Sequence, residues 1–147
     1  MKEPVEKFIM DKFEMQRKVL TIVAVLLLLS AVSLLAVIPA ILLDTSPGSL
    51  PLQAASGALI GMVIHLFLAY WFGIRLRRRT RKINKEVFIL SALGLFFLGF
   101  MIMDGAFAFL DDLRFVSIGM FICSFCDFAA ALVSIAALFL LKQKKKN

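Results

Sequence analysis

The sequence predicts an all-α, polytopic membrane protein: a four-transmembrane-helix bundle with N and C termini cytoplasmic. Three observations predict it. Of the 147 residues, 61% are hydrophobic, against about 45–50% in an ordinary soluble domain, and mean hydropathy is +0.93. Four apolar runs are each long enough to cross a hydrocarbon layer of roughly 30 Å as a helix. The charges are segregated: 16 of 17 Lys and Arg residues fall in the N-terminal segment, one central loop and the C-terminal tail. The positive-inside rule places those three segments on the cytoplasmic side. A net charge of +7 would suggest nucleic acid in a soluble protein; here its placement follows topology, and no nucleic-acid partner is expected.

The chain then divides into residues 1–18, a transmembrane domain over 19–141, and a basic cytoplasmic tail over 142–147. In the first segment Val5, Phe8, Ile9 and Phe13 recur at helical spacing, and Glu3–Lys7 and Glu14–Lys18 are favourable i,i+4 pairs. This reads as an amphipathic helix on the inner membrane surface or a frayed cytoplasmic lead-in. No small-residue cleavage site follows it, so a cleavable signal peptide is not expected.

The first span covers about 19–43. It is aliphatic apart from Thr21, Ser30 and Ser33, with Pro39 near its outer end as an expected kink. Lacking ionisable groups, it reads as a wall against lipid. Residues 44–51 form an outer loop of turn formers. The second span, about 52–74, carries Gly57, Gly61, His65, Ala69 and Gly73 at four-residue spacing. Small residues so spaced predict close approach by another helix. Tyr70 and Trp71 stand where an aromatic belt belongs. The third span, about 87–110, is Phe-rich and holds Asp104. A turn at Asp111–Arg114 is short enough to make spans three and four antiparallel neighbours. The fourth, about 115–141, aligns Cys123, Asp127 and Ala131 in one row and Cys126, Ala130 and Ser134 in the next.

His65, Asp104 and Asp127 are the ionisable residues inside spans, where a charge costs about 2.5–3.5 kcal/mol on insertion scales. His65 and Asp127 lie at similar depth and can pair. Three readings follow: a proton or cation site of His65, Asp104 and Asp127; a hydrogen-bonded pair locking helices together; or Asp127 meeting a cation on a partner subunit. The lock is weighted first.

Cys123-Ser-Phe-Cys126 is a CxxC, and in this alone the chain resembles four-helix thiol oxidoreductases of the vitamin K epoxide reductase family. That resemblance would imply redox catalysis, yet those enzymes relay electrons through further cysteines and this chain has only two. No enzyme activity and no cofactor are expected. Met101, Met103, Met120, Cys123 and Cys126, with His65, form a weak soft-metal set, but Met and buried Cys are more often fillers of apolar gaps. The basic loop residues Arg75, Arg77, Arg78, Arg79, Arg81, Lys82 and Lys85 suit anionic headgroups, at about 1 kcal/mol each near the surface.

The functional expectation is a non-catalytic subunit, scaffold or assembly factor of a larger membrane complex. Its partners would be the bilayer and other membrane subunits or further copies of itself. The alternative is a small oligomeric proton- or cation-coupled transporter. The expected location is the cell (inner, cytoplasmic) membrane, or the endoplasmic reticulum if the source is eukaryotic, since Lys144-Lys145-Lys146-Asn147 fits a dilysine signal.

Overall fold

A computed structural model describes residues 3–43, 50–76, 78, 85–108 and 114–143. They form four helices: α1 (Glu3–Leu42), α2 (Leu50–Tyr70), α3 (Lys85–Ala108) and α4 (Arg114–Gln143). A π-helical segment, Trp71–Leu76, continues α2. Stretches long and apolar enough to cross a membrane are Phe13–Pro39, Ala55–Leu76, Lys85–Ala108 and Arg114–Phe139. Among the described residues no strand occurs. The protein is an all-helical membrane bundle.

The helices pack in the order α2–α1–α4–α3. The first span is therefore central, and its expected role as a lipid wall does not hold. Its most deeply buried row is Leu20, Val23, Leu27, Ser30, Leu34, Val37 and Ile41, with Val19, Ala24 and Ala31 buried beside it. The alternating three- and four-residue steps of that row are the seam spacing of left-handed helix packing. The opposite seam on α4 is small and polar: Cys123, Ser124, Asp127, Ala130, Ala131, Ser134 and Ala137. Large side chains point outward instead, among them Val32, Phe97, Phe115 and Phe125. Lipid tails are as apolar as any core, so what belongs inside a membrane bundle is small size and hydrogen bonding, not hydrophobicity.

α1 runs without a break at residue 18 and continues past Pro39, where the Leu43 amide donates to the Pro39 carbonyl (3.0 Å). Proline removes one backbone donor, and so near the end of the helix the loss ends nothing.

Two close approaches fix the hairpins to one another and within themselves. Gly119 of α4 lies against Val37 of α1, so that a Cβ there would overlap the valine side chain. Along α3–α4, Ser117 donates to the Ala106 carbonyl and Ser124 to the Gly99 carbonyl, both at 2.8 Å. Phe128 fills the gap beside Gly99, packing tilted against Phe96 at 5.1 Å and edge-on against Phe100 at 5.2 Å.

The small-residue row of α2 does not face one partner along its length. At about 3.6 residues per turn, each four-residue step advances the row by roughly 40°. His65 and Ala69 are buried, and a Cβ on Gly61 would stand 3.1 Å from Leu34 of α1. Two steps above His65, Gly57 has turned away: among the described residues nothing stands within 4 Å of its Cβ position. Two steps below, Gly73 should have turned away equally, yet it stays against Ala24 of α1. The π-helical segment explains the difference. Its wider turn holds more residues, so each residue rotates less and Gly73 keeps facing α1.

Candidate functional site

At mid-membrane depth four side chains from three helices converge. Ser30 of α1, His65 of α2, and Cys123 and Asp127 of α4 are each 0% exposed. The helical seams put them there: Ser30 occupies the seam position between Leu27 and Leu34, and Cys123 and Asp127 stand one turn apart on the α4 seam. Gly61 lets α2 come close enough for the imidazole to reach α4.

The hydrogen bonds fix the protons. His65 Nδ1 lies 2.6 Å from the Gly61 carbonyl oxygen. A carbonyl only accepts, so Nδ1 carries a proton. Nε2 then faces both carboxylate oxygens of Asp127, at 3.1 and 3.0 Å. One further proton is shared across that contact, giving either an imidazolium–carboxylate pair or a neutral imidazole with a carboxylic acid. Both forms are neutral overall, which suits a site in hydrocarbon. Ser30 Oγ donates to Asp127 Oδ1 at 2.9 Å and lies 3.3 Å from the Cys123 carbonyl oxygen. Cys123 Sγ stands 3.7 Å from His65 Nε2.

The sequence-predicted residues separate into those that join this cluster and those that do not. His65 and Asp127 meet directly. Cys123 joins them, while Cys126 is half-buried on the next row. Asp104 is exposed on α3, outside the cluster, and Met101 is exposed too. Met103 and Met120 are half-buried, the latter with its Cε beside Gly105. Of the basic residues, Arg75 stacks over Trp71 at 5.3 Å. Arg78 is exposed and, with Arg17, Gly73 and Ile74, lines a groove of about 350 Å³. Lys85 begins α3. Arg77, Arg79, Arg81, Lys82 and the residues 144–147 lie outside the described residues, as does Asp111.

Sequence reasoning missed Ser30, Gly119, Ser117 and Ser124. In the first span Ser30 stood out only as one of three hydroxyl residues, and the uniformly aliphatic sequence around it gave no sign of which way it points. The serines of α4 did leave a signal: Ser117, Ser124 and, on the same face, Asp127 and Ser134 recur at seam spacing.

Four membrane-length helices around a buried polar cluster define a small polytopic membrane protein. Comparison with protein-family models, curated proteins and solved structures finds no match.

Proposed function

We propose that the chain is a non-catalytic membrane subunit or assembly factor, whose interior is locked and whose outer helices receive partner helices. One observation carries this reading: α2 and α3 flank the bundle largely uncovered, with 17% and 22% of their apolar stretches buried against 39% for α1 and α4. Glycines open on those flanks, Gly57 on α2 and Gly94 on α3, with nothing among the described residues within 4 Å of either Cβ position. Against lipid tails a glycine gains nothing. Against another helix it permits close backbone approach. The groove of Arg17 and Arg78 suits an anionic lipid headgroup at the cytoplasmic edge.

The transporter alternative finds less support. Asp104 does not join His65 and Asp127, and the pair it would serve is enclosed, with both ring nitrogens and both carboxylate oxygens already engaged.

The test is native mass spectrometry of the protein taken from its own membrane in mild detergent. A heteromeric mass in the wild type, lost in Gly57→Leu or Gly94→Leu, is the expected result. Both variants have room for the new side chain within their own fold. Gly61→Leu would be a poor test, since Leu34 stands in its way. A lone monomer or pure homo-oligomer, unchanged by both variants, overturns the reading.

A further inference from the structure

We propose that His65, Cys123 and Asp127 form a binding site for a divalent transition metal ion of the zinc class. Nε2, Sγ and a carboxylate oxygen of these residues all lie within 4.8 Å of one another. Tetrahedral zinc with bonds of about 2.0–2.3 Å holds its ligand atoms roughly 3.3–3.8 Å apart. The nitrogen–oxygen separations here are 3.0 and 3.1 Å, and the nitrogen–sulfur separation is 3.7 Å. Bringing all three ligand atoms to that spacing takes side-chain adjustments of no more than about 1 Å.

The surrounding hydrogen bonds are those a metal site needs. A metal-binding imidazole usually donates its other N–H to a carbonyl or carboxylate, which fixes the tautomer and aims the free nitrogen. His65 does this through Nδ1 to the Gly61 carbonyl, leaving Nε2 directed at Asp127 and Cys123. A ligating carboxylate is in turn held by a donor, and Ser30 holds Asp127.

Charge selects the ion. A neutral imidazole, a carboxylate and a thiolate carry two negative charges together, which cancel a dication. No other charge is then left in a fully buried site at membrane depth, where uncompensated charge is costly. Binding releases two protons, the one shared by His65 and Asp127 and the one on the Cys123 thiol, so atoms and charge balance. A mixed nitrogen, sulfur and oxygen set disfavours calcium and magnesium, which take oxygen ligands. The ion would join α2 of the first hairpin to α4 of the second. This holds whatever the outer faces bind.

The test uses cobalt(II) as a spectroscopic stand-in for zinc. The full chain is expressed with cobalt in the medium, so that the ion is present while the helices pack, and is purified in mild detergent. Wild type and Cys126→Ser are both expected to hold about one cobalt per chain by mass spectrometry, with a thiolate-to-cobalt charge-transfer band. In Cys126→Ser the sole remaining thiol is that of Cys123, so a band there assigns the ligand. Cys123→Ser should lose both ion and band. Ser30→Ala should bind about 10–100-fold more weakly in competition with a chelator. Absence of cobalt and band from wild type and Cys126→Ser overturns the site, as does a cobalt content unchanged by a folded Cys123→Ser.

Discussion

His65 and Asp127 depend on one another, and the dependence can be measured. Removing one partner of a buried pair leaves the other unpaired, at a cost of about 3–5 kcal/mol. Asp127→Ala should therefore lower stability in detergent by about that amount, and His65→Leu similarly. The double variant has no charge left to bury. It should be no less stable than Asp127→Ala alone, when unfolding is followed by helical circular dichroism across a denaturing-detergent titration. Strictly additive losses would show that the two side chains act separately. The pairing itself was legible in the sequence, because both residues fall halfway along apolar runs. Cys123 was legible in part, since it stands one turn from Asp127 in the same row. Ser30 as a companion was not, because a serine in a uniformly aliphatic stretch carries no mark of which way it points.

For the helices, the crossing of α1 and α4 rests on the absence of a side chain at Gly119. Gly119→Ala should destabilise the bundle by about 1–3 kcal/mol through overpacking. Val37→Ala in the same chain should recover most of that loss, because it removes the methyl group in the way; failure of the rescue would place the strain elsewhere. The α3–α4 hairpin should be more tolerant. Ser124→Ala removes one interhelical hydrogen bond, a loss near 0.6 kcal/mol and at most about 1.7. That there are four membrane-length helices was legible from the apolar runs, and the short turn made α3 and α4 neighbours. The order α2–α1–α4–α3 was not legible. Four-residue periodicity drew attention to α2, whereas the helix at the centre was α1, whose three- and four-residue seam is hidden among equally apolar neighbours. The π-helical segment after Tyr70 also left no trace in Trp71–Leu76.

The whole molecule is oriented, on our reading, by its central basic loop. Replacing Arg77, Arg78, Arg79, Arg81 and Lys82 with glutamine leaves Arg75 and Lys85 in the loop, so adding four lysines within residues 44–49 reverses the charge bias across α2. A fraction of chains should then insert with the C terminus on the opposite side, read by a compartment-specific reporter fused after Asn147. Unchanged orientation would mean that packing, not loop charge, sets topology.

The order of the helices has a consequence for how the chain is built. α1 with α2 makes one hairpin and α3 with α4 the other, and the two meet along α1 and α4, with His65 reaching across to Cys123 and Asp127. The covalent link between them leaves from the two outermost helices, so the contact that unites the halves does not require continuity of the peptide. The protein is in this sense a dimer of unlike hairpins written as one gene product. Cut between residues 79 and 84 and produced as two separate polypeptides, it should reassemble in the membrane.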